Sequence, residues 1–337
     1  MNETKKQPLI VLTGPTAVGK TSLSIQLAKA IQGEIISADS MQVYKEMNIG
    51  TAKITPEEMC GIPHYLVDEF SPNEEFNVVK FKQYADKYIH TIYDHGHIPI
   101  LVGGTGFYIQ AVLNNIDFEK NDGDTAYRKE LEELAVVKGN AYLYEMLKKV
   151  DLKSTETIHE NNVKRVIRAL EFYHQTGKKI SEHNEQERGK ESPYQFAYFV
   201  LTDDRDILYD RINKRVDIMV KQGLLEEVIT LRDKGYTSSM VSMQGIGYKE
   251  IMEYLDGVCS YETAIDKLKQ NTRHFAKRQL TWFKREREVI WVNKKEFKRE
   301  ENLILQYMLE KLKEKQIGVI ENEYNTNRTI SQTEFNR

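Results

Sequence analysis

The densest chemistry in the chain lies near its start. Gly14-Pro15-Thr16-Ala17-Val18-Gly19-Lys20-Thr21 sets two glycines, a lysine and a hydroxyl side chain at the GxxxxGK[ST] spacing of a phosphate-binding loop. Glycine lets such a backbone curl until its N–H groups face a phosphate, and a following helix adds partial positive charge. Lys20 then neutralises phosphate oxygens, and Thr21 is placed to ligate Mg²⁺. Without a ligand the same run is a Gly-rich strand-to-helix turn. Asp39 follows the next apolar run, where it is either a general base, a metal ligand, or the cap of a turn with Ser40. Gly103-Gly104-Thr105-Gly106 ends a third apolar run. Three glycines in four residues imply close backbone approach, and Thr105 is the one side chain there able to hydrogen-bond a ligand.

The elements that must position these residues can be read around them. Residues 9–12 form an apolar run of the kind that makes a strand buried on both faces. Residues 21–31 have helical spacing, 34–37 read as a second strand, 77–95 as a helix, and 98–102 as a third strand. That alternation predicts an α/β fold with an open parallel sheet covered by helices, whose strand ends bring Asp39 to the edge occupied by the phosphate loop. From 118 to 193 the spacing is helical and polar. Strand character returns at 196–201 and again at 289–292, with helices over 204–234 and 261–287 between them. The reading is therefore a core of residues 1–117 and 194–315, a helical insertion at 118–193, and a polar, mobile tail at 316–337.

Composition bounds the function. The 337 residues exceed what one hydrophobic core usually holds, about 250–300. With 40% hydrophobic and 29% charged residues, the chain is neither disordered nor fibrous. Cys60 and Cys259 are its two cysteines, too few for a disulfide framework or a cysteine-based zinc site. A reduced, cytoplasmic protein with no signal peptide and no membrane span is the expectation, and a monomer the default. A net charge of -3 argues on its face against a dedicated nucleic-acid binder. The distribution argues otherwise, because residues 264–300 hold twelve Lys and Arg against five Asp and Glu. Such a segment is either an RNA-tracking surface or a mixed solvated face.

Together the motifs resemble one family. The phosphate loop is followed by Asp39-Ser40-Met41-Gln42-Val43-Tyr44, Pro63-His64-Tyr65-Leu66-Val67-Asp68 and Gly103-Gly104-Thr105-Gly106-Phe107-Tyr108. The run 162–171 with Arg165 and Arg168, the run 244–250 (Gln-Gly-Ile-Gly-Tyr-Lys-Glu) and the run 277–283 complete the set. The chain is similar in these blocks to the tRNA dimethylallyltransferases, over about 280 residues, with Tyr65 where His is common and Phe107 where Leu is common. The resemblance implies a P-loop NTPase/kinase-like parallel sheet core with an inserted helical domain that contacts tRNA. It also implies transfer of a dimethylallyl group from dimethylallyl diphosphate to N6 of the adenosine beside the anticodon.

Roles follow from that resemblance and from the chemistry. Diphosphate departure needs positive charge, from the N–H groups of Gly14, Thr16, Ala17, Val18 and Gly19, from Lys20, and from Mg²⁺ at Thr21. Arg211 and Arg215 lie one helical turn apart and either can add to it, the alternative being a solvated face beside Asp210 and Asp217. Asp39 is placed to take the amine proton and Thr105 to orient the amine. An anticodon-loop adenine must be unstacked and its edge read, a task for the segment Asp39, Ser40, Met41 and Gln42, unless Gln42 is a plain surface residue. Arg128, Arg165 and Arg168 are candidates for RNA contacts or for ordinary salt bridges. Trp282 and Phe283 fit core positions better than base stacking. Two other readings share the loop: a P-loop small-molecule kinase, and a non-catalytic RNA-binding P-loop protein. The third strand lacks the usual terminal Asp of ATP-hydrolysing sites, which disfavours ATP hydrolysis without excluding a kinase.

Overall fold

The computed structural model describes residues 6–118 and 125–318, so all but the first three positions of the 316–337 tail lie outside the described residues. The chain divides into two compact units, one built from residues up to Ile109 and from Tyr194 onward, the other Gln110–Pro193. In chain order the elements are β1 (Gln7–Thr13), α1 (Lys20–Ile31), β2 (Gly33–Ala38), α2 (Pro56–Met59), β3 (His64–Tyr65), α3 (Val78–Asp94), β4 (Ile98–Gly103) and α4 (Gly106–Leu113). There follow α5 (Thr125–Lys138), α6 (Asn140–Val150), α7 (Val163–Thr176) and α8 (Ile180–Gly189). The chain then runs through β5 (Tyr194–Thr202), α9 (Arg205–Lys221), α10 (Leu224–Asp233), α11 (Tyr248–Leu255), α12 (Tyr261–Phe283), β6 (Val289–Asn293) and α13 (Glu301–Glu314). No described helix is long and apolar enough to cross a membrane.

The first unit is an α/β layer structure around one six-stranded sheet, ordered β3-β2-β4-β1-β5-β6 and parallel at every pairing. Parallel strands need crossover helices, and those helices cover both faces. This is why β1 and β4 carry apolar runs, at 9–12 and 98–102, instead of alternating ones. Ile10, Leu12, Ile35 and Ile100 point into one layer with Leu23 and Leu27 of α1 and with Ile304 and Met308 of α13. From α3, the stripe Phe81, Ala85, Ile89 and Ile92 is buried, and α3 packs on β2 and β4. Asn77 starts α3 by accepting the N–H groups of Val79 and Lys80, a side-chain N-cap.

Register decides where the chemistry goes. Thr13 of β1 lies opposite Gly103 of β4, and Gly103 lies opposite Ala38 of β2. Three neighbouring strands therefore end at one level, and the residues that follow them, Gly14, Asp39 and Gly104-Thr105, emerge along one edge. The sheet's outer strand β3 has only two residues, too few for a periodic signal. The helix expected over 204–234 is two helices, because Gly223 sits at φ 97 and turns the chain between α9 and α10. Residues 284–287 do not extend α12, which ends at Phe283.

The second unit is helical. Leu131, Leu143, Leu147, Val166, Ile167 and Leu170 form its core. Buried Asp151 accepts from the backbone N–H and hydroxyl of both Ser154 and Ser181, which fixes the chain entering α8.

Candidate active site

The loop after β1 has the curl its sequence requires. Ala17 and Gly19 take left-handed backbone angles, φ 63 and φ 94, which turn the loop's amides toward its concave face. Gly14, at φ 146, lies so close to β5 that a Cβ there would press on the Leu201 carbonyl. Val18 is fully buried in the core layer, and its backbone is engaged as well, the N–H donating to the Pro15 carbonyl at 3.4 Å and the carbonyl accepting from Lys294. Lys20 folds back over the loop and donates from Nζ to the carbonyls of Gly14 and Pro15, both at 2.9 Å. Burial and the nearby Arg215 guanidinium pull its pKa down to about 8, against the opposing field of Asp39. The hydroxyl of exposed Thr21 makes no hydrogen bond among the described residues.

Arg211 and Arg215 have different surroundings. Arg211 donates to Asp203, whose side chain is fully buried, at 3.0 Å, and Arg299 holds the same carboxylate. Arg215 makes no hydrogen bond or ion pair among the described residues, and burial lowers its pKa. It lines a cavity of about 90 Å³ with Thr16 and residues 50–52. The remaining wall is Ile212, Val216, Met219, Ile246, Leu268 and Phe275, with Thr272. Arg215, opposed only by the field of Glu58, thus stands in the wall of a largely apolar recess that Thr16 of the phosphate loop also lines.

Asp39 caps the turn that follows it. Its Oδ1 accepts from the N–H groups of Met41 at 2.9 Å and Gln42 at 3.3 Å. Its Oδ2 has no hydrogen-bond partner among the described residues. Thr105 N donates to the Ala38 carbonyl, which places Thr105 beside the residue before Asp39, and its half-buried hydroxyl makes no hydrogen bond among the described residues. Gln42 uses Nε2 to hold the carbonyls of Thr51 and Ala52, which leaves its Oε1 as the free end of the amide. Met41 packs on Gly245, where any side chain would collide with its Cε. Ser40 is partly exposed at the same turn.

The glycines at 103–106 approach protein. A Cβ at Gly103 would overlap the Ala38 carbonyl, one at Gly104 the Gln279 amide, and one at Gly106 the Trp282 indole. Gln279 of α12 exploits this closeness. It donates to the Gly104 carbonyl at 3.0 Å and accepts the Thr16 N–H at 2.9 Å, tying the two loops together. The Thr16 N–H, expected to face diphosphate, is therefore engaged by Gln279. Phe283 is fully buried, and Trp282 packs on Gly106 and Phe107 as a half-buried residue.

Three further residues escape a reading of the sequence. Lys294 is buried, with Nζ on the Val18 carbonyl at 3.2 Å, bracing the loop from outside its concave face. Glu227 of α10 accepts three consecutive backbone N–H groups, those of Asn48, Ile49 and Gly50, at 2.8–3.1 Å. It also accepts from the Tyr248 hydroxyl at 2.7 Å, and the Tyr248 ring lies against Gly50. Loop 48–52, whose residues 50–52 line the cavity, is held by this carboxylate at one end and by the Gln42 amide at the other. A charge run offers no local signal for any of these contacts. Much of the positive excess at 264–300 is also matched from a distance: Lys267 by Glu253, Lys269 by Asp217, and Arg299 by Asp203 and Asp204. Exposed Lys277, Arg278, Lys284, Arg285 and Arg287 have no ion pair among the described residues.

In the second unit, Arg128 makes a bidentate pair with buried Glu171, 2.8 Å at each contact, which is its ordinary salt-bridge alternative. Arg168 is partly buried beside that pair, and burial lowers its pKa. Arg165 is exposed and has no acidic partner among the described residues.

A P-loop on a parallel sheet, with Arg215 and one oxygen of Asp39 unpaired among the described residues, has the layout of a phosphate-binding transferase. Comparison with known proteins agrees and is more specific. The family model for IPP transferase matches residues 42–286. A tRNA dimethylallyltransferase of Lachnoclostridium phytofermentans is 62% identical over 311 residues, covering 92% of this chain and 99% of its own length. One from Acetivibrio thermocellus is 52% identical over 89% of this chain and 97% of its own. The crystal structure of the tRNA isopentenylpyrophosphate transferase of Bacillus halodurans has 45% identity and a TM-score of 0.69, covering 93% of this chain and 98% of that one. A eukaryotic dimethylallyltransferase acting on tRNA has 30% identity and a TM-score of 0.80, covering 94% and 81%. The chain belongs to the tRNA dimethylallyltransferase family. The small-molecule kinase alternative is not favoured.

The geometry predicts that Glu227→Ala strands three N–H groups at once. Amide hydrogen exchange at 48–50 should speed up tenfold or more, since each lost partner is worth about 1–3 kcal/mol. Unchanged exchange there would show that the loop is held by something else.

Proposed function

We propose that this chain transfers the dimethylallyl group of dimethylallyl diphosphate to N6 of the adenosine beside a tRNA anticodon. The observation that carries the reading is the recess in which Arg215 and Thr16 of the phosphate loop share a wall with aliphatic and aromatic side chains, since a hydrocarbon joined to a diphosphate needs both environments in one cleft.

In this reading the loop amides, Lys20 and Arg215 hold the diphosphate, and Arg211 keeps its structural pairing with Asp203. As the allylic C–O bond breaks, negative charge grows on the departing diphosphate, and those groups stabilise it more in the transition state than in the ground state. The adenine N6 lone pair forms the new bond to the allylic carbon. The N6 proton passes to Oδ2 of Asp39, and the Thr105 hydroxyl orients the amine. The hydroxyl of Thr21 fits a Mg²⁺ ligand, since it is exposed at the loop's end with no competing hydrogen bond. When bound there with diphosphate oxygens, the ion supplies further neutralisation of the leaving group.

The RNA contacts follow the same logic. An adenine splayed from the anticodon loop meets the 39–42 turn, where the Gln42 Oε1 can accept from its edge. Arg165 and Lys277, Arg278, Lys284, Arg285 and Arg287 are the cations left for phosphates, while Arg128 acts through Glu171. Arg168, beside that pair, is the second candidate on its helix.

The test is incubation of unmodified tRNA with dimethylallyl diphosphate and Mg²⁺, without ATP, followed by mass analysis of the nucleosides. A dimethylallyl adduct on adenosine is the expected product, and adenosine left unmodified would refute the reading. Asp39→Asn separates the two roles of Asp39, because an amide still caps the turn through Oδ1 but cannot take a proton. It should lower kcat by about 10²–10⁴ while tRNA and diphosphate binding persist. Normal turnover would remove Asp39 as the base. Arg215→Gln should weaken dimethylallyl diphosphate binding tenfold or more with little change in melting temperature. Arg211→Gln should do the reverse, since it leaves a buried aspartate short of a partner. If Arg211→Gln instead loses affinity and Arg215→Gln does not, the assignment is wrong.

A further inference from the structure

At the opposite end of β2 from Asp39 stands a cluster that the transferase chemistry does not use. Glu34 is buried at 2% exposure, near the start of β2. His95 caps the end of α3 and His97 precedes β4, and Gly96 between them, at φ 75, reverses the chain so that both imidazoles face the same carboxylate. Nδ1 of His95 lies 2.9 Å and Nδ1 of His97 lies 2.6 Å from the same oxygen, Oε1 of Glu34. Oε2 is held separately by the Tyr65 hydroxyl at 2.6 Å, and the Tyr65 ring stacks on Tyr88 at 4.6 Å. At about 3.3 Å per strand residue, Glu34 is about 16 Å along β2 from Asp39.

We propose that Glu34, His95 and His97 form a binding site for a divalent transition-metal ion of the zinc type. Two neutral imidazoles and one carboxylate are a donor set for Zn²⁺ and not for Mg²⁺ or Ca²⁺. All three donor atoms lie within 4.8 Å of one another. Donors sharing a tetrahedral ion with bonds of about 2.0–2.2 Å stand about 3.3–3.5 Å apart, so the present contacts of 2.9 and 2.6 Å need to open by less than about 1 Å. The imidazole-to-carboxylate hydrogen bonds are the pairing the same groups make in the metal-free state, with the proton on Nδ1 where the ion would sit. Tyr65 supplies the outer support, fixing the carboxylate by its second oxygen so that Oε1 points at the histidines. Both histidine side chains are more than 40% exposed, so the ion has an entry path and a fourth position open to water. Bound there, it would fasten the α3–β4 turn to β2.

The experiment uses the full chain. Zn²⁺ is titrated by calorimetry in excess Mg²⁺, and Co²⁺ is titrated with visible absorption as the readout. One ion per chain is expected, with the intensified Co²⁺ spectrum of tetrahedral nitrogen and oxygen ligation, and with a higher melting temperature in Zn²⁺. His95→Ala/His97→Ala, at exposed positions, should weaken Zn²⁺ binding at least tenfold and abolish the thermal shift. The same loss is expected from His97→Ala alone. Asp39→Asn should bind Zn²⁺ like the parent chain, which keeps this test separate from that of the transferase reading. Equal Zn²⁺ binding by the parent chain and the double variant, or an octahedral Co²⁺ spectrum in both, would overturn the proposal.

Discussion

The structure is organised around positive charge that the protein itself leaves unneutralised. Lys20 and Arg215 stand close enough to depress the lysine, neither makes an ion pair among the described residues, the fields of Asp39 and Glu58 oppose that only in part, and Lys20 makes do with two carbonyls of its own loop. A drop from 10.5 to about 8 corresponds to a penalty on the order of 3 kcal/mol for keeping Lys20 charged in the empty loop. A dianion relieves that penalty, so the loop is biased toward binding before any substrate arrives. The nearest alternative neutraliser, Asp39, is turned to another use by its own turn, which takes Oδ1.

Holding two cations in this way demands a rigid surround, and the packing supplies it. Gln279 links the phosphate loop to the Gly104 strand end, Lys294 braces the outside of the loop, and Thr13 donates to the Gly103 carbonyl at 2.6 Å across the β1–β4 pairing. The glycines at 103, 104 and 106 serve this closeness, since each has protein where a side chain would go. Asp203 performs a related service by occupying Arg211 and Arg299 with a fully buried carboxylate. Arg211 and Arg215, one turn apart on α9, thereby differ: one completes a buried ion network, the other makes no ion pair among the described residues and lines the recess.

Much of this was legible from the chain alone, and the limits have physical causes. The phosphate loop, the apolar strands, Asp39 and Thr105 are local features whose spacing carries their meaning, and the parallel register then brings them to one edge. Glu227, Gln279 and Lys294 act across 170 residues or more on the backbone of a distant loop, and nothing adjacent to them in sequence marks them. The glycine run announced a close approach without saying to what. The basic run at 264–300 gave a true count but an overstated surface, because Glu253, Asp217, Asp203 and Asp204 reach it through the fold. The single helix expected at 204–234 failed at Gly223, where a left-handed residue interrupts an otherwise helical spacing.

The central claim is that diphosphate supplies the anion missing beside Lys20. Calorimetric titration with dimethylallyl diphosphate slightly above pH 8, in buffers of different ionisation heat, tests it most directly. A phosphate monoester's second pKa is about 6, so the ligand is already ionised there. Binding should raise the Lys20 pKa and draw in roughly half a proton or more per site. Lys20→Arg, whose charge does not titrate, should bind without that uptake. No proton uptake by the parent chain, or the same uptake by Lys20→Arg, would contradict the account.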